Sequence, residues 1–346
     1  MEVNDKDKTI TLSIRNGINK PYLYRSKAYK RNDTATIEVD PIELTRLILE
    51  GKNINYEELP SEVQNLSFNF LGEELRQQVA IETFNTDIMK TLNLYSMDRG
   101  YNNAAAILAD HNTFPGIDIA KFGESISVIH KRTTLANMSI LEAYKHTVEL
   151  YRDYYQYEEI SEVYRKKVER IPETAFREAI ANALIHRVWD LNSHIRISMF
   201  EDRIEVISPG GLPNGIREEE YLSGRISVLR NPIIGNVFYR LGIVEIFGTG
   251  ITRITEVYKD SLKKPNFEVT ANSIKVVLPV YNIEPRLSNE EMKIYELLSK
   301  TMPKSIREIM PYVTYGKTKV TKILRKMADE GIVKIEGIGR GTKYRL

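Results

Sequence analysis

The segment 176–187 combines an apolar helix pattern with three polar residues one turn apart, and it restricts how the neighbouring chain can fold. Its sequence is FREAIANALIHR. Glu178, Asn182 and His186 are spaced at i, i+4 and i+8, so on a helix they share one face. The intervening Ala, Ile and Leu residues can bury the opposite face. We therefore predict a packed helix that presents a carboxylate and an amide to a neighbouring element.

Two glycine-rich turns follow this helix, with the sequences SPGGLP (208–213) and FGTGI (247–251). In the first turn, Gly210 and Gly211 come directly after a strand pattern. In the second, Gly248, Thr249 and Gly250 open a helix, where free N–H groups and the helix dipole attract phosphate. Each turn alone, like the polar helix face alone, is common in proteins without such a role. Their combination in this order predicts a site for a metal–phosphate group.

The elements around these motifs alternate between strand and helix patterns. After the first helix the predicted order is strand, strand, helix, helix, strand and strand, over residues 195–199, 204–207, 231–241, 250–259, 267–269 and 274–278. A tight turn at Glu201-Asp202 joins the first two strands, which are therefore antiparallel. The order predicts an α+β fold in which a layer of helices covers a mixed sheet, as in an α/β sandwich.

The length of 346 residues is enough for two or three domains. Residues 1–35 have the alternation typical of strands. Residues 36–170 are predicted to be mainly helical, with a short strand-like interruption near 123–130. The motifs described above fall in a predicted core at 171–281, and residues 282–288 form a predicted linker.

The remaining residues, 289–346, are strongly basic. From residue 304 onward eleven Lys and Arg oppose four Asp and Glu, in a chain whose net charge is only +2. Three short helix patterns and a terminal hairpin are the outline of a winged helix-turn-helix, with a recognition helix at about 317–330. The alternative interpretation is a solvated basic helix that packs through its apolar residues. The basic excess favours a polyanion partner, which we take to be double-stranded DNA. The residues expected to contact DNA are Lys317, Thr318, Lys319, Lys322, Arg325, Arg340 and Lys343.

Composition argues against several other classes of protein. The chain is 42% hydrophobic and 28% charged, which is ordinary for a globular protein, and it has no apolar run of about 18 residues. No membrane partner is therefore expected. The absence of cysteine excludes disulfides and thiolate zinc sites, and it favours a cytoplasmic, bacterial protein. The five histidines are scattered, so a histidine metal site is not expected.

Four longer runs carry a family resemblance. They are REAIANALIHR (177–187), DRIEVISPGGLPNGI (202–216), RNPIIGNVFYRLG (230–242) and IFGTGITRI (246–254). Over about 70–280 the chain resembles bacterial ATP-binding transcriptional regulators called RecG-like. The resemblance implies a GHKL-type ATPase domain, often preceded by a Schlafen-type AlbA domain and followed by a winged helix. Residues 16–31 are similar to the end of an AlbA-type domain only, so 1–35 is interpreted as part of one.

The same resemblance implies a site for ATP and Mg²⁺. Asn182 is implied as the Mg²⁺ ligand, and Glu178 as the catalytic residue that activates water. The implied ATP-binding residues are Asn182, Gly210, Gly211, Gly248, Thr249, Gly250 and Ile251. GHKL ATPases have an Asp in the first glycine turn that reads the adenine amino group, whereas Ser208 and Pro209 stand there in this chain. His186 is interpreted as structural support.

Three functions remain open from the sequence. The first is an ATP-responsive, DNA-binding transcriptional regulator that forms a homodimer. The second is an effector that hydrolyses ATP, for example in phage defence, and the third is a DNA-binding protein whose nucleotide site has decayed. A motor helicase is not expected. Gly316-Lys317-Thr318 has the end of a Walker A loop, but position 311 is Pro where that loop needs Gly.

Overall fold

The chain forms two compact units in the computed structural model, and each unit has its own hydrophobic core. Unit 1 comprises Met1–Lys259 and Lys263–Tyr281, and unit 2 comprises Asp260–Leu262 and Asn282–Leu346. The residues that the structure describes are 2–4, 6–13, 21–32, 34–161, 164–213, 215–224, 228–245, 248–281, 287–299, 301–329, 332–337 and 339–346.

The described part of unit 1 is built from helices and strands in a mixed order. The α-helices are α1 (Pro41–Gly51), α2 (Asn69–Val79), α3 (Thr86–Thr91), α4 (Asn103–Leu108), α5 (Ile140–Tyr155), α6 (Glu173–His186), α7 (Glu218–Leu222), α8 (Pro232–Arg240) and α9 (Gly250–Val257). The strands are β1 (Glu2–Asn4), β2 (Thr9–Thr11), β3 (Tyr29–Asn32), β4 (Ala35–Glu38), β5 (Tyr95–Ser96), β6 (Gly100–Tyr101), β7 (Ile117–Phe122), β8 (Ile129–Leu135), β9 (Gln156–Ser161), β10 (Tyr164–Glu169), β11 (Ile195–Met199), β12 (Arg203–Pro209), β13 (Asn266–Val269) and β14 (Ser273–Pro279).

Six of these strands form the central sheet, in the order β13-β14-β12-β11-β7-β8. Neighbouring strands are antiparallel, except that β11 and β7 are parallel, with Ile195 opposite Ile117. The expected α+β class, with helices and a central mixed sheet, is therefore confirmed. The strands expected at 195–199, 204–207, 267–269 and 274–278 are all in this sheet.

Helix α6 lies at the centre of the helical layer. It packs against α5, α8 and α9 on the helix side and against β12 and β14 on the sheet side. Phe176, Ile180 and Leu184 are completely buried in the core. Because neighbours surround α6 on most of its circumference, Glu178 and Asn182 are buried or half-buried between elements.

The end of α6 is fixed by the segment just before α8. The Asn231 Nδ2 donates to the carbonyl oxygens of Ile185 and Arg187, at 2.7 and 2.9 Å. The Arg230 Nε donates to the His186 carbonyl oxygen at 3.0 Å. The last carbonyls of a helix have no partner within the helix, so these side chains supply the missing donors. They hold α6 in a fixed position relative to α8.

Arg187 anchors the loop that leads from α6 to β11. Its side chain is fully buried, and its Nη1 and Nη2 donate to the carbonyl oxygens of Pro115 and Ser193 at 2.7 and 2.6 Å. The guanidinium carbon lies 4.2 Å from the ring centroid of Trp189. Pro115 precedes β7 and Ser193 precedes β11, so one buried cation connects the starts of the two parallel strands.

The expectation that 36–170 is mainly helical overlooks several strands, of which two pairs are the longest. Residues around 117–135 form β7 and β8, which belong to the central sheet, and residues 156–169 form the β9–β10 hairpin. The segment expected as the strand-like interruption, 123–130, instead connects β7 to β8 and contributes only the first residues of β8. β8 is an edge strand whose residues are mostly exposed and include the adjacent charged residues Lys131 and Arg132, so it lacks the apolar alternation that identifies a strand.

A buried carboxylate fixes the start of α8. Glu57 is fully buried, and its Oε1 and Oε2 accept hydrogen bonds from the backbone N–H groups of Ile233 and Ile234, at 2.5 and 3.0 Å. Burial raises the pKa of Glu57 from its ordinary value of 4.5 to about 7, against the lowering effect of the two N–H groups. The folded chain therefore binds this proton more tightly than the unfolded chain does.

This difference predicts that Glu57 makes unit 1 less stable as the pH rises from about 4.5 to about 7. In that interval the unfolded chain releases the proton while the folded chain keeps it. Relative to the Glu57→Gln variant, the free energy of unfolding should fall by up to about 3 kcal/mol across the interval. Trp189 is the only tryptophan of the chain, so its fluorescence during urea unfolding measures unit 1. Parallel pH profiles for the parent and the variant would contradict the prediction.

The described part of unit 2 contains three α-helices and a two-stranded hairpin. Its helices are α10 (Asn289–Tyr295), α11 (Ile306–Ile309) and α12 (Lys317–Asp329), and its strands are β15 (Lys334–Glu336) and β16 (Lys343–Arg345). Ile294, Ile309, Val320 and Leu324 form the centre of its core. The elements lie close to the expected positions, and the winged-helix classification stays a prediction. Across the described residues of both units, no helix has the length and hydrophobicity needed to cross a membrane.

Candidate functional site

The three polar residues of α6 lie on the side of the helix that faces α9. Glu178 is only 7% exposed. The Asn182 Nδ2 donates to the Glu178 Oε1 at 3.3 Å, which joins the two side chains across one turn. This hydrogen bond uses the amide donor of Asn182, so its Oδ1 acceptor is available for another partner.

Helix α9 begins directly against this pair. A Cβ atom on Gly250 would lie 2.5 Å from the Glu178 Oε1 and 2.6 Å from the Asn182 Nδ2. These distances are too short for any side chain at position 250 without moving both polar groups. Gly248, two residues earlier, has a φ of +68°, which glycine adopts readily and most other residues do not. The second glycine turn therefore lets the first turn of α9 approach the carboxylate and the amide.

A cavity separates α6, the start of α9 and the segment after β12. The described residues around it are Glu178, Asn182, Ile185, His186, Leu212, Pro213, Ile216, Tyr221, Gly224, Val228, Leu229, Gly235, Val244, Glu245, Gly248, Gly250, Ile251 and Ile274. Its volume is about 60 Å³. Pockets that hold drug-sized ligands are larger, at roughly 300–1,000 Å³. A ligand of nucleotide size would therefore enter only if the walls moved apart.

Five of the residues expected at the site meet in this cavity, and three do not. Glu178, Asn182, Gly248, Gly250 and Ile251 are in its wall, whereas Gly210, Gly211 and Thr249 are absent from the described lining. His186, interpreted from the sequence as structural support, lies in the wall as well. The wall of the cavity thus contains Glu178 and Asn182 of α6 together with most of the second glycine turn.

The first glycine turn has a packing role in this structure. Gly210 has a φ of +103°, and a Cβ there would lie 2.4 Å from the Val188 Cγ2. A Cβ on Gly211 would lie 2.5 Å from the Ala271 carbonyl oxygen. Both glycines allow the chain to pass close to neighbouring segments as it leaves β12. The result is that Leu212, and Pro213 after it, reach the cavity.

Two further residues near the turns have structural partners. The Ser208 hydroxyl donates to the Ala183 carbonyl oxygen at 2.9 Å, and Ser208 is buried. This hydroxyl is therefore committed to α6. The Thr249 carbonyl oxygen accepts the Arg253 N–H at 2.8 Å, as the residue before a helix normally does.

The charged groups in the cavity wall are mainly carboxylates. Burial raises the pKa of Glu178, whereas the positive charge of Arg253 and the hydrogen bond from Asn182 lower it. Burial, with the charge of Arg230, lowers the pKa of His186 to about 4, so this ring is neutral at pH 7. Glu245 adds a second carboxylate, and no Lys or Arg is in the described part of the wall. An anion would therefore need a cation to accompany it.

The sequence alone did not indicate a role for Glu245, for Arg253 or for the apolar residues of the wall other than Ile251. Arg253 falls within the run IFGTGITRI, but nothing in its spacing connects it to α6. Leu212, Ile216 and Ile274 have apolar side chains that any core pattern would explain. Within the described residues, no group of three or more His, Asp or Glu residues forms a preformed metal site. A metal ion at Asn182 would therefore take further ligands from a phosphate or from water.

The basic helix α12 of unit 2 presents some of its cations to solvent and pairs others. Lys319 and Lys326 form ion pairs with Glu290 and Glu291, at 2.5 and 2.7 Å. The exposed residues Lys317, Lys322 and Arg325 have no ion pair with another described residue. Among the other expected DNA contacts, Thr318 is on α12 and Lys343 is on β16, while the side chain of Arg340 lies outside the described residues.

Comparisons with known proteins support an ATPase-like domain in unit 1. Residues 192–278 match the family described as "Putative ATP-dependent DNA helicase recG C-terminal". The match covers about a quarter of the chain and begins after α6, so it includes both glycine turns but not Glu178 or Asn182.

A solved structure shares the overall fold. The crystal structure of the DIP2311 protein from Corynebacterium diphtheriae aligns with a TM-score of 0.60, over 93% of this chain and 70% of that chain, at 18% sequence identity. At this identity the likeness concerns the fold alone. A search of curated proteins finds no match.

Proposed function

We propose that this protein is an ATP-binding, DNA-binding transcriptional regulator, in which occupancy of a Mg²⁺–nucleotide site in unit 1 changes the binding of DNA or of a partner. The observation that carries the nucleotide part is the approach of Gly250 to Glu178 and Asn182. It brings a helix N-terminus against a carboxylate–amide pair at one cavity. The family match over 192–278 supports the same interpretation.

The residues around the cavity fit a Mg²⁺–nucleotide in their chemistry. Mg²⁺ prefers oxygen ligands, commonly one or two protein groups together with phosphate oxygens and water. We propose Asn182 Oδ1 as a ligand and Glu178 as the residue that orients or deprotonates water. The backbone N–H groups of Gly248, Thr249, Gly250 and Ile251 would bind phosphate. The ion would neutralise phosphate charge beside two carboxylates, which otherwise repel an anion.

The GHKL-like sandwich is part of this proposal, with a modified base site. The Gly210-Gly211 turn would act indirectly, by bringing Leu212 and Pro213 to the base, since its own glycines pack against Val188 and Ala271. Because the Ser208 hydroxyl is bound to Ala183, we propose weaker selection of adenine than an Asp provides. The cavity must also widen, so nucleotide binding should be accompanied by movement of the wall between Leu212 and Gly248.

We expect the Asn182→Ala variant to bind ATP at least tenfold more weakly than the parent in the presence of Mg²⁺ (about 1.4 kcal/mol). The variant lacks the neutral oxygen ligand of the ion. Glu178→Gln should bind ATP nearly as well as the parent, because Gln still accepts the Asn182 hydrogen bond, and it should lose any ATP turnover. Isothermal titration calorimetry with and without Mg²⁺ measures binding, and phosphate release measures turnover.

Asn266→Ala, an exposed substitution on β13, is the control for this experiment. If the parent protein does not bind ATP in the presence of Mg²⁺, the nucleotide proposal is wrong. Binding that is unchanged in Asn182→Ala would remove Asn182 as the metal ligand. Turnover that survives in Glu178→Gln would remove Glu178 as the catalytic base of the hydrolase alternative.

We further propose that unit 2 is a winged helix that binds double-stranded DNA through α12. The exposed cations Lys317, Lys322 and Arg325 support this proposal, because Lys and Arg that lack protein partners are suited to phosphate contacts. Thr318 and Lys319 would lie near the groove, and Arg340 and Lys343 would contact the backbone beside it. The ion pair with Glu290 reduces the charge that Lys319 can offer.

Replacement of Lys317, Lys322 and Arg325 together by Gln should weaken duplex binding and its salt dependence. The slope of log K against log salt is negative, and each lost phosphate contact reduces its magnitude by about 0.9. We therefore expect the magnitude of the slope to decrease by about 2–3. Fluorescence anisotropy of a labelled duplex at several salt concentrations measures it. The control replaces exposed Lys90, Lys131 and Lys259 of unit 1, with the same change of net charge. An equal effect of both triple variants would argue against α12 as the DNA surface.

Three other expectations complete the proposal. Residues 1–35 are proposed as part of an AlbA-type domain, and residues 36–170 and 171–281 as the front part and core of the ATP-binding region, which share the six-stranded sheet. A homodimer is proposed as the assembly, and the cysteine-free composition supports a cytoplasmic location.

A further inference from the structure

The nucleotide site proposed above lacks a positive side chain in its described wall. Its described wall contains the carboxyl groups of Glu178 and Glu245. The His186 ring, which is also in the wall, is neutral at pH 7. A nucleoside triphosphate carries several negative charges, and one Mg²⁺ neutralises only two of them. Sites that recognise phosphate normally add Arg or Lys, whose N–H groups point at the phosphate oxygens. A nearby cation is therefore needed to complete the site.

Arg253 lies where such a cation is needed. It is on α9, three residues after Gly250, and its Nη2 is 3.3 Å from the Glu245 Oε1. Of the charged groups that act on Glu178, Arg253 has the largest effect on the pKa of that carboxyl. Its guanidinium thus lies close enough to influence both carboxylates of the wall. The side chain is 41% exposed, which leaves it room to reorient.

The other described arginines near the cavity have partners that fix them elsewhere. Arg230 donates to the carbonyl oxygens of His186 and Gly211, at 3.0 and 2.7 Å, and supports the backbone. Arg177 donates to the Tyr144 hydroxyl at 3.2 Å. Arg253 differs from both because its partner is a half-exposed carboxylate, which an incoming phosphate can replace.

We propose that Arg253 binds the terminal phosphate of the nucleotide, and that Glu245 holds Arg253 when the site is empty. The inference rests on the proposed function and adds a specificity residue to it. Arg253 exchanges one anionic partner for another, so Glu245 competes with the phosphate. Removal of the Arg and removal of the Glu therefore have opposite effects on triphosphate binding. A purely structural role for the ion pair predicts effects of the same sign.

The test is calorimetry of the full chain with Mg²⁺ and either ATP or ADP. Arg253→Gln should weaken ATP binding at least tenfold and ADP binding less than threefold, because ADP lacks the terminal phosphate. Arg253→Lys should recover part of the ATP affinity. Glu245→Gln should bind ATP about threefold more tightly than the parent. In the double variant this gain should disappear, because Glu245 acts through Arg253.

Two controls separate this inference from general changes of charge. Arg196→Gln removes an exposed arginine of β11 and should leave both affinities unchanged. The second control is Arg225→Gln. Arg225 directly follows Gly224 in the sequence and lies outside the described residues. A selective loss of ATP binding in Arg225→Gln, with none in Arg253→Gln, would overturn the assignment.

The failures of the two proposals can be distinguished. If the parent binds neither ATP nor ADP, the proposed nucleotide site itself is wrong, and Arg253 loses its role with it. If the parent binds both, but Arg253→Gln weakens them equally or Glu245→Gln weakens ATP, the nucleotide site stands and the role of Arg253 is refuted.

Discussion

Gly250→Ala should abolish most nucleotide binding while leaving the fold intact. The added Cβ would lie 2.5 Å from the Glu178 Oε1 and 2.6 Å from the Asn182 Nδ2. Both atoms are at the ends of flexible side chains, so they can move aside at little expense to stability. The φ of Gly250 suits alanine, because position 250 is the first residue of α9. The free energy of unfolding should therefore stay within about 1 kcal/mol of the parent value.

The displaced atoms are the ones that the proposed site uses. Moving two binding groups by about an ångström typically reduces a well-oriented function by roughly 100-fold, and we expect ATP affinity to fall by about that factor. Calorimetry measures the affinity, and urea unfolding followed by Trp189 fluorescence measures the stability. Gly316→Ala, where a Cβ has open space, is the matched control. Unchanged ATP binding in Gly250→Ala would mean that the nucleotide does not use this junction.

Arg187→Ala should be among the most destabilising single substitutions in unit 1. The guanidinium is fully buried and donates to Pro115, Leu191 and Ser193 carbonyl oxygens, at 2.7, 3.3 and 2.6 Å. Its removal leaves buried acceptors without donors and opens space beside Trp189. Burial lowers the pKa of Arg187 to about 10, so the side chain remains charged at neutral pH and its hydrogen bonds are charge-assisted.

We expect a loss of about 3–4 kcal/mol in the free energy of unfolding. Trp189 fluorescence during urea unfolding measures it for unit 1. Arg196→Ala removes an exposed arginine from the adjacent strand and should change stability by less than about 0.5 kcal/mol. An equally small effect in Arg187→Ala would show that water replaces the guanidinium without penalty. The connection it makes between β7 and β11 would then contribute little.

The elements predicted well from the sequence are those whose patterns are local. Helix α6 has a long apolar periodicity, and β11 and β12 alternate on both sides of a short turn. Helix α8 starts with Asn231-Pro232, and α9 starts with a glycine turn. In each case neighbouring residues specify the element, so no information about distant contacts is needed.

Strands β7 and β8 were missed because their pairing is not local. β7 pairs in parallel with β11, about eighty residues later, and Arg187 holds the loop that leads into β11. β8 is an exposed edge strand with consecutive charged residues. The β9–β10 hairpin is also rich in charged residues, and its few apolar residues fall at a spacing that resembles a helix. Strand formation in these segments is decided by tertiary contacts, which outweigh local preference.

Only part of the site could be predicted from the sequence, because the rest also depends on tertiary contacts. The spacing of Glu178 and Asn182 indicates a shared face, and a glycine turn that opens a helix indicates a phosphate site. Neither pattern reveals that Gly250 touches that face, since the contact depends on how α9 packs against α6. The packing role of Gly210 depends in the same way on its approach to Val188, a contact that no local pattern shows.

The central claim is that a Mg²⁺–nucleotide binds between α6 and the turn at Gly248 and Gly250. The most direct test is a crystal structure of the full chain grown with Mn²⁺ and a non-hydrolysable ATP analogue, with the ion located by its anomalous scattering. We expect an ion about 2.0–2.2 Å from the Asn182 Oδ1, with the phosphates against the start of α9. A nucleotide bound elsewhere, or an ion whose ligands exclude Asn182, would contradict it.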